Sequence, residues 1–213
     1  MIHLITFEGG DGTGKSTQIK ALERHLGARA RSFVSTREPG GTPLGQLIRQ
    51  VLLEVGKQSI GSPTELFLYL ADRAQHVQDV IIPALDSGKI VLCDRYTDST
   101  LAYQGYGRGI DLKVLRELNE IADRGVQPDL TLLLDCPVEL GLSRTARRMA
   151  EVATGAGRED RFERETIEFH EKVRQGFLAL ALAEPDRFRI IDASRSVVEV
   201  TEEIKRIIDR ELA

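Results

Sequence analysis

Residues 9–16 of this 213-residue chain, Gly9-Gly10-Asp11-Gly12-Thr13-Gly14-Lys15-Ser16, constrain its fold more than any other segment. They satisfy G-x-x-x-x-G-K-[ST], a pattern whose mechanism needs a strand before it and a helix after it. The apolar run Ile2–Phe7 precedes it, and Ile19, Leu22 and Leu26 follow at helical spacing. Glycines let the backbone wrap closely around phosphates, so that successive N–H groups and the helix N-terminus point at negative charge. In that setting Gly9 to Thr17 form a phosphate loop, Lys15 reaches the β- and γ-phosphates, and the Ser16 hydroxyl ligates Mg2+. The pattern also arises by chance, but seldom in the first strand–helix turn of an α/β chain.

The rest of the chain matches that start. Further short apolar runs at Ser32–Ser35, Ile90–Cys93, Leu130–Leu134 and Arg189–Ile191 end near polar or glycine-rich residues, as buried parallel strands do. Helical patterns lie between them. Leu44, Leu47, Ile48, Val51, Leu52 and Val55 make one apolar stripe, and Val197, Val200, Ile204, Ile207 and Ile208 make another. The alternation predicts a five-stranded parallel sheet flanked by helices, in one domain spanning 1–213. Glu151–Asp160 breaks the pattern with two glycines and little apolar content, which predicts a mobile flap at about 147–161.

Charge and cysteine content narrow the function classes. The 29 Lys+Arg against 33 Asp+Glu leave a net charge of −4, which argues against a general nucleic-acid binder. Cys93 and Cys136 form no C-x-x-C pair and are too few for a disulfide framework. No basic residue precedes the first apolar run, as a secretory signal would require, and no run approaches the ~18 apolar residues of a membrane span. A cytoplasmic protein with no membrane partner is expected. No Lys is preceded by Asn or Thr, and no D-x-x-G lies outside the phosphate loop, so a GTPase reading is poor. Asp94 follows Ile90-Val91-Leu92-Cys93, at the strand end where ligands bind in open α/β sheets. A carboxylate there holds the Mg2+ water shell or caps the next helix.

Four further segments fit no generic ATPase: Thr36-Arg37-Glu38-Pro39-Gly40-Gly41-Thr42, Ala71-Asp72-Arg73-Ala74-Gln75, Asp94-Arg95-Tyr96, and Ser99 to Gly109 with its Ala102-Tyr103-Gln104-Gly105 core. Together with Phe7-Glu8-Gly9-Gly10-Asp11 they resemble the thymidylate kinase family, in the family's order and from the first strand to the final helix. The resemblance implies a P-loop nucleoside-monophosphate-kinase fold that transfers the γ-phosphoryl of ATP to dTMP, making dTDP, with Mg2+. A monophosphate acceptor is already an anionic nucleophile near neutral pH, since its second pKa is ~6. The site must therefore hold two charged phosphates in line, which suits guanidinium groups and Mg2+.

By resemblance, Arg49, Arg73 and Arg95 hold the acceptor phosphate, Lys15 and Arg95 also being catalytic. Tyr69 stacks on thymine, Ser99 joins the acceptor set, and Thr100 and Gln104 read the base edge. Tyr103 crowds the sugar 2′ position, and Asp11 positions the 3′-hydroxyl. Solvated helix faces, surface ion pairs and core packing are the competing readings for Arg49, Arg73, Arg95, Tyr69, Thr100 and Tyr103. Some family members carry an arginine in the phosphate loop where this chain has Gly12. The resemblance then places the catalytic cation on the flap, where Arg144, Arg147, Arg148, Arg158, Arg161 and Arg164 occur without a lysine. Arg148 and Arg161 match best, Arg147 being the neighbour that competes with Arg148. It also implies a homodimer through helices beside the acceptor site. Two rivals stand: a kinase for another nucleoside monophosphate, and a nucleotide-binding switch that transfers no phosphate.

Overall fold

The computed structural model of the chain describes residues 2–53, 60–152, 162 and 165–212. Among them five strands, β1 (Leu4–Glu8), β2 (Phe33–Arg37), β3 (Ile90–Asp94), β4 (Leu130–Asp135) and β5 (Phe188–Asp192), form one sheet in the order β2-β3-β1-β4-β5. Every pairing is parallel, and β1 is central, with Phe7 opposite Asp94 on one side and Leu132 on the other. The expected strands are all present, each running past its last apolar residue to a charged one. Glu8, Arg37, Asp94, Asp135 and Asp192 therefore line the carboxyl-end rim of the sheet, where open α/β folds bind ligands. Hydrophobic pattern marks only what is buried, while the backbone ladder continues to the rim.

The helices are α1 (Lys15–Ala28), α2 (Pro43–Leu53), α3 (Ser62–His76), α4 (Ile82–Asp86), α5 (Thr97–Thr100), α6 (Leu112–Asp123), α7 (Val138–Val152), α8 (Ile167–Ala183) and α9 (Val197–Glu211). Two π-helical segments, Val77–Ile81 and Leu101–Gly107, continue α3 and α5. Alternate strand residues go to opposite faces. Ile5, Phe7, Leu132 and Ile191 pack against Leu22 and Leu26 of α1 and Ile204 and Ile208 of α9. On the other face Leu133 and Phe188 meet α3, α6 and α8 through Leu66, Leu115, Val173 and Phe177. Both faces are covered, so near-continuous apolar strands are what this sheet demands.

The stripe on α2 does not face the core: Leu52 is buried, but Leu44, Leu47 and Val51 are 47%, 60% and 53% exposed; Val55 lies outside the described residues. Amphipathic period shows that a helix has an apolar face, not which partner covers it. Of the expected flap, residues 147–152 belong to α7, and 153–161, with Arg161, lie outside the described residues.

Candidate active site

Between β1 and α1 the chain makes the turn that the glycines permit. Gly9, Gly12 and Gly14 have φ of 130°, 72° and 96°, in the region where side chains are strained. A Cβ on Gly12 would also run into the Gly141 carbonyl at the start of α7. Lys15 Nζ folds back over the loop and donates to the Gly9 and Gly10 carbonyls at 3.0 and 2.8 Å. Burial, then the nearby Arg95 charge, pull its ammonium down to about 8. Ser16 Oγ donates to Asp94 Oδ2 at 3.1 Å, so a hydroxyl and a carboxylate stand together beside the loop. Both are hard oxygen donors. Among the described residues no group of three or more His, Cys, Asp or Glu could enclose a metal. That donor set fits Mg2+, which keeps waters and phosphate oxygens and takes few protein ligands.

Arg95 ties this loop to the opposite wall. Its φ is 69°, and its guanidinium turns back toward β1. Nη1 donates to the Gly9 carbonyl at 3.0 Å and Ser99 Oγ at 3.2 Å; Nη2 donates to Asp11 Oδ1 at 2.7 Å and the Tyr103 hydroxyl at 3.0 Å. Tyr103 also gives it a ring face 4.9 Å away, and its hydroxyl donates to Asp11 Oδ2 at 3.2 Å. Burial alone would raise the Asp11 pKa, but Arg95 and Lys15 hold the carboxyl below its ordinary value. Beneath Arg95, Glu8 accepts from the Tyr96 N–H at 2.7 Å and from Ser99 Oγ at 2.6 Å. Its burial, and then Asp98, push it up to about 8.

The far end of the same cleft, about 250 Å³ in volume, is set by α3 and the segment after β3. Arg73 is 1% exposed yet lines it. Its Nε donates to Glu38 Oε2 at 2.9 Å, and its Nη1 donates to Thr100 Oγ1 at 2.9 Å and Asn119 Oδ1 at 2.6 Å. Gln104 Nε2 donates to Glu65 Oε1 at 2.8 Å. Tyr69, Phe162 and Tyr103 line the same end, the last two meeting edge to face at 5.5 Å. Arg49 reaches in from α2, with Nη1 on the Pro39 carbonyl at 2.9 Å. Exposed Arg148, on α7, also lines the cleft. Of the expected residues in 1–152, all of the acceptor set and both of the Mg2+ pair thus face one cleft.

Arg73 and Arg95 line the same cleft but have different partners. Arg95 lies on the phosphate loop, whereas Arg73 is neutralised by Glu38 and bonded to Thr100 at the other end. Spacing in a sequence shows that two arginines belong to a site, not which end each occupies. The sequence reading also passed over four residues. Arg37 ends β2 and lines the cleft, and Glu38 beside it holds Arg73. Both stand within the quoted Thr36–Thr42 segment, where a charged pair at a strand end was the available signal. His76 and Asn119 carried none, since each meets Glu38 or Arg73 only through the tertiary fold.

The family model for thymidylate kinase matches residues 7–204. The chain belongs to the thymidylate kinase family. It is 53% identical over 205 residues to the thymidylate kinase of Desulfovibrio desulfuricans, covering 96% of this chain and 94% of that one. To that of Geobacter sp. strain M21 it is 54% identical over 193 residues, 91% and 85% of the two chains. The crystal structure of thymidylate kinase from Ehrlichia chaffeensis superposes with a TM-score of 0.77 at 33% identity, over 97% of this chain and 98% of that one. The protein is accordingly a nucleoside-monophosphate kinase that phosphorylates dTMP to dTDP, with ATP as donor.

Glu8 makes the stability of this site depend on pH. An acid whose pKa rises from 4.5 to about 8 on folding binds its proton more tightly in the folded state. Its contribution is therefore greatest below pH 4.5 and is lost as pH rises through about 8. Glu8→Gln, which keeps a neutral side chain at every pH, should lower the melting temperature less between pH 5.5 and 8.5 than the parent protein does. Parallel melting curves for the two across that range would show that Glu8 is ionised throughout.

Proposed function

We propose that this chain performs dTMP phosphorylation by holding the acceptor phosphate with Arg95 and Arg49 beside the donor phosphates on the Gly9–Thr17 loop. One observation carries the reading: the Arg95 guanidinium is bonded to the loop itself, at the Gly9 carbonyl and Asp11. An anion taken by that guanidinium lies next to the phosphates over Lys15. The acceptor phosphate needs no strong base, because its second pKa of ~6 leaves it a dianion at neutral pH. What it needs is alignment and charge neutralisation. Lys15 leaves the Gly9 and Gly10 carbonyls for the donor phosphates, which also restores its full charge. Ser16 and Asp94 would hold Mg2+, which would supply charge neutralisation for the donor phosphates.

At the other end Arg73 meets the base. Its charge is already matched by Glu38, and Nη2 has no hydrogen-bond partner among the described residues. A neutralised guanidinium with one spare edge suits a neutral carbonyl better than a dianion. Thr100 and Gln104 extend that recognition, Tyr69 stacks on the ring, and Ser99 orients Arg95. Asp11 and Tyr103, joined to each other and to Arg95, suit a deoxyribose: one receives the 3′-hydroxyl, the other crowds the 2′ position. Two buried free thiols fit a cytoplasmic, reducing setting.

The transferring phosphoryl also needs a cation that Gly12 does not supply. Arg148 on α7 is the described candidate, with Arg161 its partner by resemblance on a flap spanning about 147–161. Lys15→Ala should lower kcat by at least ~10²-fold, and Arg148→Ala by roughly 10²-fold with little change in the dTMP KM, the pattern of groups that act in the transition state. Wild-type kcat in both variants, at saturating ATP and dTMP, would overturn the proposed donor side.

The exposed residues of α2 support the homodimer. Leu44, Leu47 and Val51 of α2, Phe67 of α3 and Ile121 of α6 are all exposed, and α2 packs on α3 and α3 on α6. Exposed apolar side chains on neighbouring helices are what an interface would cover. In sedimentation experiments the parent should run as a dimer and Leu47→Glu as a monomer; a monomeric parent at micromolar concentration would refute the assignment.

A further inference from the structure

The segment from Thr36 to Thr42 is fastened to α3 by a chain of buried hydrogen bonds that ends on Arg73. Thr36 Oγ1 lies 2.6 Å from His76 Nε2, and His76 Nδ1 lies 2.9 Å from Glu38 Oε1. The second Glu38 oxygen accepts from Arg73 Nε at 2.9 Å. His76 is wholly buried, and Glu38 and Arg73 are 4% and 1% exposed. A neutral imidazole with its proton on Nδ1 satisfies both neighbours, donating to Glu38 and accepting from the Thr36 hydroxyl. The loop is set tightly on that ring: a Cβ on Gly41 would lie 2.5 Å from His76 Cδ2 and 2.8 Å from Thr36 Oγ1. His76 itself does not line the cleft, whereas Glu38 and Arg73 do.

A carboxylate gripped at one oxygen only can rotate, and the guanidinium bonded to its other oxygen rotates with it. Held at both oxygens, Glu38 has one orientation, and the Arg73 edge that carries Nη2 has one direction. Thr100 and Asn119 hold Nη1 but not the end of the guanidinium at Nε. We propose that His76 is a positioning residue for dTMP: through Glu38 it fixes the Arg73 guanidinium against the base, without touching substrate. The inference rests on the reading above that Arg73 meets the base.

The test is a double-mutant cycle on steady-state kinetics, with melting curves to check that each variant is folded. His76→Leu keeps bulk and removes the donor; His76→Asn returns a donor in a smaller side chain. Arg73→Lys keeps a charge opposite Glu38 but loses the planar edge. His76→Leu should raise the dTMP KM about fivefold, with kcat and the ATP KM within about twofold, as coupled neighbours do. His76→Asn should recover part of that loss. In the Arg73→Lys background, His76→Leu should add less than about twofold, because the group it orients is gone. If the same factor appears in both backgrounds, or if kcat falls and the KM for ATP rises along with that for dTMP, His76 only supports the fold and the proposal fails. A normal dTMP KM in Arg73→Lys alone would overturn the reading of Arg73 and the proposal with it. Should His76→Leu melt below the assay temperature, the same cycle with His76→Asn decides the matter by the same criteria.

Discussion

The bond from Arg95 to the phosphate loop is the interaction on which the rest of the site depends. A residue at φ of 69° that is not glycine carries a conformational cost of order 1–3 kcal/mol. It persists because its N–H donates to the Phe7 carbonyl at 3.0 Å and its guanidinium is held by Gly9, Asp11, Ser99 and Tyr103. The left-handed turn brings a cation from the end of β3 back over the end of β1. In the proposed reading, donor loop and acceptor pocket share that one guanidinium. The partners of Arg95 are charged or polar groups of the kind that a dianion can replace.

Charge at the rim of the sheet follows the same logic. All five strands end on a charged residue, and two of those ends, Glu8 and Asp94, lie under or beside the phosphate loop. A cluster of acids there is tolerable only with cations among them, which Lys15 and Arg95 provide. Gly12 shows the limit of that arrangement. Its backbone conformation and the Gly141 carbonyl leave no room for a side chain, so the loop cannot furnish a further cation. Arg148 stands two turns beyond Gly141 on the same helix, within reach of the cleft. The helix that closes one position to a charge thus carries another to the site.

The sheet was legible in the sequence because both of its faces are buried. Ile5, Leu92 and Leu132 had to be apolar whichever helix covered them, so the five runs showed directly as strands. The phosphate loop was legible for a different reason, since its glycines and Lys15 answer to backbone geometry and phosphate charge, which are local. The α2 stripe did not reveal its partner, because Leu44, Leu47 and Val51 have the same period whatever covers them. The partners of Arg73 were not legible, because Glu38 lies 35 positions away and Asn119 46 positions away, in contacts made only by the folded chain. Local constraints can be read from one sequence, and long-range pairings of charged residues cannot.

The claim that Arg95 belongs to the acceptor while being bonded to the donor loop is tested most directly by calorimetry on Arg95→Ala. Titrations with dTMP and with ATP, each in the absence of the other, separate the two halves of the cleft. The account predicts that dTMP binding weakens by about 1.5–3 kcal/mol, the scale of a charge-assisted hydrogen bond, with ATP affinity nearly unchanged. Loss of ATP binding with dTMP binding intact would contradict it, and would mean that Arg95 serves the donor loop alone.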